Sequence, residues 1–291
     1  MPDPPDPAAD SRAILHPARM AEHVRLDRFS VPDAFEGILD WVWSVEWDLQ
    51  PGEVHRQDVL SLPAVNISVG TGPPPGPHPP PGPYAVSPRV VGVARRRTTR
   101  VLSGSGWNVA AKTTVGGLGG LIATSVAAYT DKEVAMGEVL PLDAGALGAA
   151  MAAAQGASAR SQLLLAALEP VRAQADPQRR RTAREVSALA DAAANKPDLY
   201  RVGELAAYAG MSVRTVQRLF SEYAGISPTW MLRRLRLIEA AERVARGQQA
   251  RWAEVAADLG YSDQAHLTRD FTAAVGQSPA AYAAAQREFD V

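Results

Sequence analysis

The chain has 291 residues, 46% hydrophobic and 21% charged, enough for one large or two ordinary soluble domains, each with its own core. It has no cysteine, which excludes disulfides, thiolate nucleophiles and thiolate zinc sites, and its five histidines, at 16, 23, 55, 78 and 266, are too scattered to present two metal ligands on one helix or hairpin. Net charge is −1, with 16 Lys and Arg against 13 Asp and Glu from Arg179 onward and 14 against 18 before it, so the basic balance lies in the second half.

The N-terminal MPDPPDPAAD is acidic and proline-rich where a secretory signal would be basic and then apolar, and residues 1–20 read as a disordered tail. The most apolar windows, LGGLIATSVAAY and AGALGAAMAAA, are too short and too rich in Gly and Ala to span a bilayer, so a cytoplasmic protein with no membrane partner is expected.

Residues 21–175 read as a β-rich domain with C-terminal helices. Short runs such as DWVWSVEW, AVNISVG, RVVGVARR, TTRVLSG and WNVAAKTT, bounded by Pro, Gly and Ser, predict an antiparallel barrel or sandwich. Between two of them, Pro73 to Pro83 holds eight prolines in eleven residues, which suits an extended surface loop, or a ligand for a proline-reading module, and no sheet. After Asp143 two helices follow, closed by Gly156 and Pro170. Leu163, Leu164, Leu165 and Leu168 give the second an apolar face for the β domain or for a second copy. The segment 175–181 is polar, carries an Asp-Pro turn signal, and marks the boundary to a domain over 176–291.

That domain contains a repeat: VQRLFSEYAGISP from Val216 returns 51 residues later as LTRDFTAAVGQSP. Before the first copy, Val202 to Tyr208 is a short helix, Gly210 permits the positive φ that ends it, and Ser212 caps the next helix. Helical spacing puts Val213, Val216, Phe220 and Tyr223 on one face and Arg214, Gln217, Arg218 and Ser221 on the other. The second copy has a helix from Trp252 to Leu259, a Gly260 turn, and Ser262 or Asp263 as cap. Its core face is Leu267, Phe271 and Ala274, and its outward face holds Ala265, Thr268, Arg269 and Thr272. Between the copies, Ser227 and Pro228 start a breaker-free helix that Gly247 stops, about 30 Å long. Such a rod can hold two helices at the roughly 34 Å repeat of successive major grooves.

From Leu199 to Ala285 the chain resembles the AraC/XylS family of bacterial transcription regulators, chiefly through LGYSDQAHLTRDFTAAVGQSPAAY. The resemblance implies an α+β chain: an N-terminal antiparallel domain for effector binding and dimerisation, then an all-α domain with two helix-turn-helix units joined by a long helix. It implies double-stranded promoter or operator DNA as partner, with a small-molecule effector, a homodimer and RNA polymerase as further partners, and neither catalysis nor a cofactor. Base contacts then fall to Arg214, Gln217 and Arg218 in the first unit and to Gln264, Ala265, Thr268 and Arg269 in the second. Phosphate contacts fall to Ser212, Ser227, Ser262, Arg233, Arg234 and Arg251. Asp270, beside Arg269, departs from the pattern and has to face away from the backbone phosphates.

In the first domain Trp41, Trp43, Trp47 and Trp107 are candidates for a planar-ligand pocket with Lys112 for an anion; the alternative is plain core. The run Gly116 to Gly120 lacks the Gly-Lys-Ser/Thr ending of a phosphate loop, and no nucleophile, base and orienter stand out as a set. An architectural DNA binder without effector, or a DNA-binding protein with an enzymatic first domain, are the competing readings.

Overall fold

A computed structural model describes residues 14–71, 84–196, 198–245 and 252–287. The proline-rich run, most of the expected tail, Gly247 and Arg251 lie outside the described residues.

A short helix α1 (Pro17–Ala21) precedes strands β1 (Val24–Phe29), β2 (Leu39–Asp48), β3 (Val54–Val59), β4 (Asn66–Gly70), β5 (Ser87–Val91), β6 (Thr98–Ser103), β7 (Ser105–Thr113) and β8 (Glu133–Ala135). Six strands form an antiparallel sheet in the order β1-β2-β7-β4-β5-β8, and β3 pairs with β6 as a separate ribbon. The two sheets do not close into a barrel, and residues of both line a shared cavity.

Because strand side chains alternate, each large strand has one set of residues per face. Val42, Ile67, Val69, Val90, Val109 and Ala111 are fully buried on one face, under α2 (Ala144–Ala153) and α3 (Gly156–Gln174), which contribute Leu147, Met151, Leu164 and Leu168. The leucine face of α3 is thus spent inside the chain. Contrary to expectation, α3 runs through Pro170. That proline is exposed, so its ring meets solvent, while Leu164, Leu168 and Val171 around it hold the helix on the sheet.

The second half is helical: α4 (Pro177–Asn195), α5 (Val202–Tyr208), α6 (Val213–Ala224), α7 (Pro228–Ala245), α8 (Trp252–Asp258), α9 (Gln264–Val275) and α10 (Pro279–Arg287). Asp176 caps α4 by accepting from Gln178 N–H at 2.8 Å.

The cores do not follow the expected division into two. One apolar cluster runs from the sheet through Leu118, Leu121 and Val126 to Ala183 and Val186 of α4, then to Val216, Phe220 and Tyr223 of α6. The run Gly116 to Gly120 is the seat of this contact. A Cβ on Gly117 would lie 2.0 Å from Ile38 O, one on Gly119 would lie 2.6 Å from Tyr223 Cα, and one on Gly120 would lie 2.8 Å from Ala183 Cβ. A second cluster, around Leu267, Phe271 and Tyr282, takes in Leu15 and Leu60 from the first half. Ile14 to Met20 is therefore part of the fold, not of a tail: Leu15 is 3% exposed, and its N–H donates to Asp58 O at 3.1 Å.

Candidate nucleic-acid interface

The two repeats fold alike. Each has a seven-residue helix, α5 or α8, and a twelve-residue helix, α6 or α9. Each turn closes with the same pair of bonds, Met211 N–H to Ala206 O and Gly210 N–H to Ala207 O in the first, Tyr261 N–H to Ala256 O and Gly260 N–H to Ala257 O in the second. Those bonds need a left-handed residue after the helix, and Gly210 and Gly260 have φ of 62° and 68°. The extra residue of the second turn is Ser262. In the first unit Ser212 caps α6 by accepting from Thr215 N–H at 3.1 Å; in the second, Asp263 caps α9 by accepting from His266 N–H at 2.7 Å. That bond holds the Asp263 carboxyl below the usual carboxylate range. Ser262, expected at a phosphate, is exposed, and its hydroxyl bonds Asp263 and His266.

On α6 the buried residues are Val216, Leu219, Phe220 and Tyr223. Val213, expected in this set, is 42% exposed at the first turn, and Leu219 takes its place. Arg214, Gln217, Arg218 and Ser221 are all exposed on the opposite face. Arg218 meets Glu222 at 3.6 Å across one helical turn, and Glu222 also accepts from Arg179 of α4 at 3.0 Å. The Arg218 pair is solvent-facing and hence weak, so the guanidinium can leave it for another acceptor.

On α9, Leu267, Phe271 and Val275 are buried, Gln264, Ala265, Arg269 and Thr272 are exposed, and Thr268 is half-buried. Ala274, expected in the core, is only partly buried. Asp270 faces inward: Arg233 of α7 donates to both its oxygens, at 3.2 and 2.7 Å. Arg233, whose side chain stays half exposed, thereby joins α7 to α9.

Arg234 departs further from its expected phosphate role. It is 4% exposed, stacks 4.7 Å from the Trp230 ring and donates to Arg95 O at 2.6 Å, and burial pushes its pKa down to about 10. It is an internal tie between the halves. Ser227 remains exposed and caps α7 by accepting from Trp230 N–H at 3.2 Å.

The first half touches both long helices at the same repeated glycine. Gly225 and Gly276 end α6 and α9 with φ of 74° and 87°. Thr130 donates to Gly225 O at 2.5 Å, and the guanidinium of Arg97 lies 3.0 Å from where a Gly276 Cβ would stand.

Between the six-stranded sheet and the β3–β6 ribbon lies a cavity of about 240 Å³. Trp41, Trp43, Trp47 and Lys112 line it, together with Arg28, Arg89, Arg100 and Glu133. Trp43 Nε1 donates to Asn66 at 2.9 Å, and Lys112 pairs with Asp40 while its ammonium lies 4.2 Å from the Trp41 ring. Trp107 is not among them. It pairs in register with Glu46, so it takes the opposite face of the sheet, where Arg160 of α3 stacks on it at 4.1 Å.

Two matched helix-turn-helix units with exposed, hydrogen-bonding second helices define a DNA-binding transcription regulator. Residues 205–285 match the family model described as a helix-turn-helix domain. A search of the curated proteins finds no match. Among solved structures the chain is similar to ToxT from Vibrio cholerae, at 8% identity and a TM-score of 0.41, over 90% of this chain and 98% of that one. It is also similar to ToxT from Vibrio cholerae O395, at 10% identity and a TM-score of 0.39, over 89% and 96%. A further likeness is to unsaturated fatty acid bound wild-type ToxT from Vibrio cholerae strain SCE256, at 8% identity and a TM-score of 0.38, over 89% and 94%. Among the described residues no helix is long and apolar enough to cross a membrane, and no group of three or more side chains is placed to hold a metal ion.

Proposed function

We propose that the protein binds specific sites in double-stranded DNA by laying α6 and α9 in successive major grooves, and that its first half modulates that binding. The observation that carries the reading is the matched pair of units, with outward polar faces in the same phase on both long helices. Arg214, Gln217 and Arg218 read base edges in one groove, since arginine makes paired bonds to guanine and glutamine to adenine. Gln264, Ala265, Thr268 and Arg269 read the other, Ala265 through apolar contact with a thymine methyl. Ser212, Ser227 and the helix N-termini meet phosphate. At 1.5 Å per residue, the 18 residues of α7 span about 27 Å, of the order needed between neighbouring grooves.

The tryptophan-lined cavity is the proposed receiver for a small planar ligand with an anionic group. Its wall supports the modulating role. Along β3 and its extension Gln57, Val59 and Ser61 line the cavity, while Leu60 enters the core of the second unit. On the facing segment Ile14 lines the cavity and Leu15 enters the same core. Any ligand that shifts this one-residue-thick wall moves the seat of α9.

Selection of bound sequences from random duplex DNA by the intact protein tests the reading. Two short enriched elements, about 10 base pairs apart centre to centre, are expected. A failure to enrich any sequence would refute it, and a mirrored pair of such sites would report a dimer.

A further inference from the structure

The two units touch each other directly at a residue that lies outside the matched family segment, which begins at 205. Tyr200 precedes α5. Its own N–H and that of Arg201 both donate to the Glu204 carboxylate at 2.8 Å, so its backbone is locked to the first turn of α5. Its side chain leaves the first unit altogether. The hydroxyl donates to Asp258 O at the end of α8, and the ring packs against the turn of the second unit, where a Cβ on Gly260 would come within 2.6 Å of it.

The connector grips the same turn. Arg236 of α7 donates to Leu259 O at 3.4 Å, with its guanidinium 5.9 Å from the Tyr200 ring and 4.9 Å from that of Tyr261. Arg243 of α7 pairs with the Asp258 carboxylate at 3.0 Å. The last carbonyls of a helix have no partner within it, so Tyr200 and Arg236 satisfy acceptors that would otherwise face solvent, at the end where positive charge is favoured.

A single connecting helix fixes the distance between two bodies better than their rotation about its axis. Tyr200 supplies a direct tie between the units off that axis, beside the contacts that Thr130 and Arg97 of the first half make with Gly225 and Gly276. We infer that Tyr200 is a positioning residue that sets the rotation of α9 relative to α6, and so the spacing between the two DNA elements that the protein accepts. The inference rests on the two-groove reading above.

The test uses the full chain and the selected site, together with sites carrying one base pair more or fewer between the elements. One base pair moves an element by about 3.4 Å along the duplex and by roughly a tenth of a turn around it. Wild type is expected to discriminate against both altered spacings by roughly tenfold or more, and Tyr200→Ala by about threefold or less. Tyr200→Phe, which keeps the ring on Gly260 and loses the bond to Asp258 O, should fall between, and it decides the matter if Tyr200→Ala does not fold. Thermal unfolding of each variant separates loss of folding from loss of spacing. If wild type is strict and the folded variants are equally strict, Tyr200 has no such role. If wild type itself ignores spacing, the two-groove reading fails, and this inference with it.

Discussion

Tyr223 of α6 rests on Gly119 so closely that one added methyl group would stand 2.6 Å from the Tyr223 Cα and 2.9 Å from its carbonyl oxygen. Backbone atoms cannot swing aside as a side-chain tip can. Gly119→Ala should therefore cost roughly 1–3 kcal/mol in urea unfolding, the usual penalty of overfilling a packed site. Gly203→Ala is the control, because no heavy atom lies within 4 Å of its added Cβ. Equal stability of the two variants would mean that the glycine seat does not hold the halves together.

Arg218 and Arg269 occupy the same outward position on α6 and α9, but Arg214 has only Ala265 as its counterpart. The first unit is thus the better equipped to hydrogen-bond base edges. Arg218→Ala should cost about 1–3 kcal/mol at the selected site and relax the preference at one base pair. Arg269→Ala should cost less. Competition binding against random DNA checks both, and an equal loss on random DNA would reassign Arg218 to phosphate.

How far the sequence reveals this fold depends on how local the cause is. Both long helices end at left-handed glycines and start at side-chain caps, and these signals act within a few residues, so the two units and the connector were legible. The glycine seat was not, because Gly119 is dictated by Tyr223, 104 positions away in the chain. Arg234 reads as an exposed basic residue of a helix until Arg95 and Trp230 surround it. The grouping of tryptophans was half legible. Trp41, Trp43 and Trp47 share a face by alternation within one strand, whereas the face of Trp107 follows from the register between strands. Tyr200 carried no signal at all, since only the neighbouring unit gives its ring and hydroxyl a purpose.

His16 joins the first half to α10, its ring nitrogens 3.1 Å from Gln277 and 3.3 Å from Gln286, its ring 5.0 Å from Tyr282. Burial, then the Arg19 charge, lowers its pKa below the ordinary 6.5, against a smaller upward pull from Asp58. The folded state thus binds a proton less readily than the unfolded one, and stability that is full above about pH 6.5 falls as pH drops below it. His16→Gln should flatten part of that slope between about pH 8 and pH 5 in chemical denaturation. His55, lowered first by burial, keeps the remainder sloping the same way. An unchanged slope in the variant would rule out His16 as a source.

Lys112 is buried at the cavity wall beside Trp41. A planar carboxylate that enters there should quench the fluorescence of Trp41, Trp43 and Trp47. Lys112→Met should weaken carboxylates by roughly tenfold against their matching amides, the scale of one lost charge-assisted hydrogen bond. Equal weakening of acids and amides would show that Lys112 shapes the cavity without meeting an anion.

In the proposed function two helices of one chain read two neighbouring major grooves. Guanine-methylation interference on the selected site, with the intact protein, tests it most directly. Interference is expected in two patches about 10 base pairs apart on one side of the duplex, with one of the two patches lost selectively in Arg218→Ala. A single patch, or interference unchanged in that variant, would contradict it.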